Sequence, residues 1–386
     1  MGGVKMEWKE VTLGEIAIFK TGKLNSNAAI SNGEYPFFTC SPETLRINNY
    51  AFDQEAILLA GNNADGNFSI KYYKGKFNAY QRTYVITPIR GKVDIKFLYY
   101  ALSLCLKQFK NMSQGTSTKF LTVTILNSFS VQLPSISDQH RIASILSSLD
   151  RKIELNNKIN ADLEDMAQAI FKNWFVDFEP FKDGKFVESE LGMIPEGWKV
   201  GRLTEIASYM NGLAMQKYPP ENNEDSLPVL KIKELGQGFC GTDSDRCSCN
   251  IKDECKIHNG DVIFSWSGTL LVDVWCGGDC GLNQHLFKVT SNDYPKWFYY
   301  YWTKHHLQEF IHIAKDKAVT MGHIKRGHLE KALVAIPDND SMKKAHELFD
   351  PILSKMISLR LESSRLSALR DTLLPKLMSG ELEVSE

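Results

Sequence analysis

The sequence predicts an α+β protein built by duplication: two similar mixed α/β, strand-rich domains, joined by two long helices that form an antiparallel coiled coil, as a pseudo-twofold internal repeat. Three observations predict it. Residues 138–177 carry an unbroken heptad stripe, residues near the end of the chain carry a second stripe in the same register, and the stretches ahead of the two stripes resemble one another.

In the first stripe, Ile142, Leu149, Asn156, Leu163 and Ile170 recur every seven residues, and Leu146, Ile153, Ile159, Met166 and Trp174 fill the intervening three-or-four spacing. This is a narrow seam for one partner helix rather than a broad globular face. No Gly or Pro interrupts it. A helix of this length spans roughly 50 Å at about 1.5 Å per residue and needs a second helix to cover its seam.

That second helix is expected from about Met342 to Leu377. A shift of 203 residues lays Ala345, Ile352, Leu359, Leu366 and Leu373 on the five heptad positions of the first. The polar positions Asn156 and Asn160 then face Glu362 and Ser363, a layer that sets the register of the pair.

The repeat extends into the domains. Trp8-Lys9, Glu15-Ile16-Ala17 and Gly22 recur as Trp198-Lys199, Glu205-Ile206-Ala207 and Gly212, while Phe97, Tyr99 and Tyr100 recur as Phe298, Tyr300 and Tyr301. The terminal strands correspond as well, Phe129, Val131, Leu133 and Pro134 with Ala332, Val334, Ile336 and Pro337. A repeat of this period sets the organisation before any finer reading: a first domain at 1–137, a helix at 138–177, a linker at 178–197, a second domain at 198–337, and a helix with its tail at 338–386.

At 386 residues the chain is long for one core and suits two. Its hydrophobic content of 43% and charged content of 24% are those of ordinary globular protein. The start, MGGVKMEWKE, has no signal-like apolar core, and no run of eighteen apolar residues occurs, so a cytoplasmic location away from membranes is expected. The net charge of −1 hides an uneven spread. Residues 1–137 hold 15 Lys and Arg against 9 Asp and Glu; residues 138–197 hold 7 against 12; residues 198–337 hold 16 of each and seven of the nine His. A polyanion would therefore meet the domains and not the helices.

In chain order, Thr12-Leu-Gly-Glu15 has capping-box spacing for a short helix. Ala56–Ala60 reads as a buried strand, and Phe68–Phe77 as a hairpin turning near Gly75, with Lys71, Lys74 and Lys76 among Tyr72, Tyr73 and Phe77. Residues 96–110 read as helical with an aromatic-apolar face and Ser113–Lys119 as a small-residue loop, matched in the second copy by the more basic Met321–His328. In the second domain Asp261–Gly268 corresponds to the buried strand. Leu270–Val274, the Gly277-Gly278-Asp279 turn and Leu282–Val289 correspond to the hairpin, and Gln284-His285 aligns with Gln81-Arg82.

Motifs for catalysis are missing from this reading: there is no phosphate-binding G-x-x-x-x-G-K-[ST], no [DN]-P-P-[FY], and no G-x-S-x-G. Gly236-Gln-Gly-Phe-Cys-Gly241 follows an expected strand at Val229–Leu235, but the turn-like residues after it offer no helix N-terminus for a pyrophosphate. Six cysteines lie between Cys240 and Cys280. Only Cys276 and Cys280 have a zinc-like spacing, so reduced thiols and no metal are expected.

The run Leu133-Pro-x-Ile-x-x-Gln-x-x-Ile142, then Ile145-Leu146-x-x-Leu-Asp150-x-Lys152-Ile153 and Ile170-Phe171-x-x-Trp-Phe175, resembles the central region of specificity (S) subunits of type I restriction-modification enzymes. Leu191-Gly-x-Ile-Pro-Glu-Gly-Trp-Lys199 and the close, Leu369-Arg-x-x-Leu-Leu-Pro-Lys-Leu-Met-Ser-Gly-Glu-Leu382, are similar in the same way. His140 and the cysteine cluster depart from the pattern. The resemblance implies a non-catalytic subunit whose two target-recognition domains read the halves of a bipartite double-stranded DNA site with a set spacer, and which docks two methyltransferase (M) subunits and, through them, restriction (R) subunits. It also implies that this chain holds no cofactor, S-adenosylmethionine, ATP and Mg belonging to the partners. A span of about 50 Å corresponds to roughly 15 base pairs. On that reading Lys20, Lys23, Lys71, Lys74, Lys76, Gln81, Arg82 and Lys119, with Lys217, Gln284, His285, His323, Lys325 and Arg326, face DNA. The lysines suit phosphates, and Gln81, Arg82, Gln284 and Arg326 suit base edges. The alternatives are a DNA methyltransferase or nuclease with an unrecognised catalytic site, and a coiled-coil scaffold that touches no DNA.

Overall fold

The computed structural model describes residues 7–221, 225–316 and 322–384. Its mixed α/β chain divides into two compact units, Met1–Lys152 with Leu366–Glu386, and Ile153–Arg365. Two long helices, Ile136–Phe175 and Asn339–Ser379, contribute residues to each unit.

The first unit is organised on a six-stranded sheet in the order Ala17–Thr21, Thr83–Pro88, Phe52–Ala60, Ile70–Ala79, Tyr35–Phe38, Leu45–Ile47. All neighbours are antiparallel except Tyr35–Phe38, which runs parallel to Ile70–Ala79. Successive strand residues point to opposite faces, and here both faces are covered. Ile57, Leu59 and Ile86 join Phe97, Leu98 and Leu102 in one core, whereas Ala56, Leu58 and Val85 join Phe38 and Phe77 in another. Hence the apolar run Ala56–Ala60 is buried throughout. The capping box at Thr12 and Glu15 forms, with Glu15 accepting from the Thr12 amide at 2.7 Å.

One expectation for this unit is corrected. Ile70–Ala79 is one continuous strand through Gly75, and the chain reverses at Gly61–Ser69 instead. Gly75 takes φ +133 opposite Gln54, so it bends the strand without ending it. The helical stretch at 96–110 is present as Ile95–Leu104 and Leu106–Met112, which meet at Cys105.

The second unit splits the same plan between two four-stranded sheets. One runs Ser208–Asn211, Leu286–Thr290, Val262–Ser265, Leu271–Val274; the other runs Arg246–Ser248, Ser226–Leu230, Cys280–Leu282, Lys256–Ile257. Leu271–Val274 and Cys280–Leu282 thus take the two halves of the long strand of the first unit. Trp275 stands at the break: its indole N–H donates to the Gly278 carbonyl at 2.6 Å, and its ring lies where a side chain at Gly277 would stand, 2.3 Å from an added Cβ. The expected pairing of Leu270–Val274 with Leu282–Val289 is therefore corrected. Leu271–Val274 and Leu286–Thr290 flank Val262–Ser265 on opposite edges.

The expected strand Val229–Leu235 is also shorter. Ser226–Leu230 is strand, Ile232–Gln237 is helix, and Gly238 ends that helix at φ +81. The glycines of the G-x-G-x-x-G run close a helix and begin none. Residues 178–197 carry structure of their own: Phe178 turns the chain at φ +54, and Phe186–Ser189 pairs with Gly192–Pro195 as a hairpin. Phe178, Ile194 and Trp198 are buried in the core of the unit.

Within the second unit residue numbers rise on one long helix as they fall on the other, and in the first the same two helices meet at one ion pair. Asp150 meets Arg370 in the first; Asn156 meets Glu362 and Phe171 meets Phe349 in the second.

Candidate nucleic-acid interface

The two units share a turn whose backbone is tied at equivalent points. In the first it is Tyr80-Gln81-Arg82-Thr83. Tyr80 N–H donates to the Phe38 carbonyl at 2.9 Å, Gln81 N–H to that of Leu24 at 2.9 Å, Thr83 N–H to that of Tyr80 at 2.8 Å, and Gly61 N–H to that of Arg82 at 2.8 Å. In the second it is Asn283-Gln284-His285-Leu286. Asn283 N–H donates to Leu230 at 3.1 Å, Leu286 N–H to Asn283 at 3.0 Å, and Trp266 N–H to His285 at 3.4 Å.

A glycine permits each arrangement. An added Cβ at Gly22 would stand 1.6 Å from the Ala79 carbonyl oxygen, and one at Gly212 would stand 2.2 Å from that of Leu282. No side chain fits at those distances, which explains why this pair recurs in the repeat. Each turn presents a glutamine and then a cationic or titratable side chain.

Both turns border an open concavity. The one in the first unit is about 310 Å³ and is lined by Thr21, Gly61, Gln81, Arg82, Tyr84, Phe120 and Leu121. Lys20 and Lys119 adjoin its lining residues in the chain, and Gln81 donates from Nε2 to Asn25 Oδ1 at 2.7 Å. Lys20, Lys23 and Arg82 are exposed.

The hairpin lysines lie elsewhere and on opposite faces of their strand. Lys74 and Lys76 are exposed across from Glu55 and Asp53, and Lys76 sits 4.8 Å from the Tyr50 ring centroid. Lys71 points the other way. Its ammonium donates to the carbonyls of Ser41 at 3.1 Å and Glu43 at 2.9 Å, and burial pulls its pKa down. It anchors a loop, whereas the sequence pattern places it with the phosphate-facing lysines.

In the second unit the concavity is about 520 Å³, with Gln216, Lys231, Asp245, Arg246, Gln284 and His285 among its lining residues. Lys217 follows that lining and is exposed. Lys231 is ion-paired to Asp245, and Arg246 donates to Ser226 Oγ at 2.7 Å. His285 Nδ1 lies 3.1 Å from Ser267 Oγ, and the rings of His285 and His323 stand 5.9 and 6.3 Å from that of Trp266. Lys325 is exposed, and Arg326 reaches the Tyr209 carbonyl at 3.4 Å. Met321, which opens the basic loop read from the sequence, lies outside the described residues.

Sequence reasoning missed Trp266, Lys231 and Arg246. The last two lie on or beside strands that answer Tyr35–Phe38 and Leu45–Ile47 of the first unit, Arg246 standing opposite Pro228 as Arg46 stands opposite Pro36, but the added residues of the second copy hide that match in the sequence. Among the described residues no three His, Cys, Asp or Glu converge as a metal site. Cys240 contacts Cys280, a contact that draws the Cys240 thiol pKa down.

On the long helices, Asn156 and Asn160 are buried at 0% and 8% exposure. Asn156 Nδ2 donates to Glu362 Oε2 at 2.9 Å, while Asn156 Oδ1, Asn160 Oδ1 and Nδ2 and Ser363 Oγ are buried without hydrogen-bond partners.

The type I restriction modification DNA specificity domain model matches this chain twice, over residues 5–165 and 195–362. The chain belongs to that family. As a type I specificity-family chain it shows the duplication directly, since each match covers one domain with much of its helix. The "Type I restriction enzyme EcoDI specificity subunit" of Escherichia coli is 38% identical over 233 residues, covering 55% of this chain and 51% of the relative. The chain's match thus spans about half of that relative's length. The "Type I restriction enzyme MjaIX specificity subunit" of Methanocaldococcus jannaschii is 31% identical over 319 residues, covering 78% of this chain and 72% of the relative. The crystal structure of a type I restriction-modification system S subunit from M. genitalium has the same fold, with a TM-score of 0.63 over 99% of this chain and 98% of that one at 16% identity. No helix among the described residues of this specificity-family chain is long and apolar enough to cross a membrane.

Proposed function

We propose that this chain is the non-catalytic DNA sequence-specificity subunit of a type I restriction-modification complex. Its domains at 1–137 and 198–337 each read one half of a bipartite double-stranded site. The helices at 138–177 and 338–386 pair as an antiparallel coiled coil and set the unread spacer between the halves. Two methyltransferase subunits dock on the chain, restriction subunits join through them, and S-adenosylmethionine, ATP and Mg serve those partners. The complex works in the cytoplasm.

The observation that carries this reading is the repeated turn, which sets a glutamine beside Arg82 in one unit and beside His285 in the other on an equivalently bonded backbone. Phosphate contacts orient a protein on DNA, and side chains at base edges select sequence. Lys20, Lys23, Lys74, Lys76, Lys119, Lys217 and Lys325 suit the first role. Gln81, Arg82, Gln284, His285, His323 and Arg326 suit the second. The opposed numbering of the helix contacts supports the pairing, and Asn156, Asn160, Glu362 and Ser363 supply its polar layer.

The test is to express the chain with its methyltransferase partner in a host free of DNA methylation and to map the methylated bases. A two-part site with a constant gap is expected, absent when this chain is left out. A one-part site, or methylation that persists without the chain, overturns the reading.

A further inference from the structure

We propose that Gln81 and Gln284 are matched specificity-determining residues, each selecting an adenine in its half of the site. The inference rests on the domains being DNA readers and adds which residue reads and which base it takes.

Position comes first. The two glutamines occupy the same place in the same turn, 203 residues apart, and main-chain hydrogen bonds hold each turn on either side of them. Gly22 and Gly212 allow the neighbouring segment to close on the strand that leads into each turn. A side chain projecting from so constrained a backbone begins from a defined point, which readout of a base edge requires.

Unused hydrogen-bonding capacity comes second. Around the larger concavity the charged groups already have partners, Lys231 with Asp245 and Arg246 with Ser226. Gln284 Oε1 is different: it is a buried acceptor without a donor. A base that brings a donor satisfies it once the amide turns outward. Gln81 complements this. One of its amide hydrogens goes to Asn25 Oδ1, which orients the group and leaves one N–H and the carbonyl oxygen to face a ligand.

Chemistry then chooses the base. One donor beside one acceptor matches the major-groove edge of adenine, which offers the N6 amino group beside N7. Guanine presents O6 and N7, two acceptors, against which the glutamine carbonyl is repelled. Cytosine offers only its N4 donor, and thymine an acceptor and a methyl group. Arg82 and His285, next in each turn, stand where they can reach the adjoining base pair.

The experiment uses the full chain assembled with its methyltransferase subunits and a library of duplexes randomised across both halves of the site. Wild type is compared with Gln81→Glu and Gln284→Glu, since a carboxylate only accepts and suits the N4 amino group of cytosine. Each variant is expected to change base preference at one position, in opposite halves, with adenine losing roughly tenfold or more relative to cytosine. Gln284→Asn keeps the donor and acceptor one methylene shorter and is expected to retain adenine at lower affinity; it guards against a Glu variant that does not fold. Preferences unchanged at every position, or changed only where wild type does not prefer adenine, overturn the assignment while leaving the domains as DNA readers. A wild-type complex with no sequence preference overturns both.

Discussion

Asn160→Leu should stabilise the chain while Asn156→Leu, four residues earlier on the same stripe, should not. Asn160 is 8% exposed and both polar atoms of its amide are buried without partners. Each such group costs about 1–3 kcal/mol. Leucine removes that cost and adds apolar burial, offset by about 1–3 kcal/mol for the extra volume in a packed seam, which leaves a net gain of about 1–3 kcal/mol. Asn156 differs because, although its Oδ1 is likewise buried without a partner, its Nδ2 donates to Glu362 at 2.9 Å. Replacing it takes a hydrogen bond from a carboxylate, worth about 1.5–3 kcal/mol, and so offsets or reverses the benefit of the leucine. Urea unfolding followed by circular dichroism measures both variants against wild type, and heating gives roughly 2–4 °C per kcal/mol for a unit of this size. Equal gains from the two substitutions, or a loss from Asn160→Leu, would refute the view that these asparagines are held for register at a cost in stability.

Replacing Asn156, Asn160, Glu362 and Ser363 together with leucine should stabilise further and relax the preferred spacer length, read by methylome mapping. Inserting one heptad in each long helix should lengthen the spacer by roughly three base pairs, since seven residues add about 10 Å; an unchanged spacer would count against the helices as a ruler. Gly22→Ala and Gly212→Ala should each cost at least about 1–3 kcal/mol, because the added carbon meets a backbone oxygen at 1.6 or 2.2 Å, and calorimetry on the pure chain would register it. Arg82→Ala should lose about 1–3 kcal/mol of discrimination at one base pair, read with randomised duplexes, with the thermal midpoint barely moved.

Much of this is legible in the sequence, for a physical reason. A heptad seam and its copy at a 203-residue offset depend only on spacing along a regular helix, so the long helices could be placed within a few residues. The alignment of Gln81-Arg82 with Gln284-His285 was legible too, because both pairs follow a strand that the repeat preserves. What escaped depends on contacts distant in sequence. Gly75 reads as a turn until Gln54 is seen opposite it. Nothing local says that the Trp275 indole will reach Gly278 where a strand divides between two sheets. Lys71 reads as one of three like-charged neighbours, yet strand alternation turns it inward, where the carbonyls of Ser41 and Glu43 hold it. The stretch 178–197 has the prolines and glycines of a tether, but Phe178, Ile194 and Trp198 carry enough apolar area to fold it onto the second unit.

The paired turns have a consequence for how such a protein diversifies. Amides and carbonyls lash each turn in place and are common to all residues, so the amino acids it displays are spared from supporting it. A lineage can exchange those side chains, and with them the letters it recognises, without rebuilding the framework underneath. The arginine of one copy and the histidine of the other show that the same backbone carries different side chains at this place.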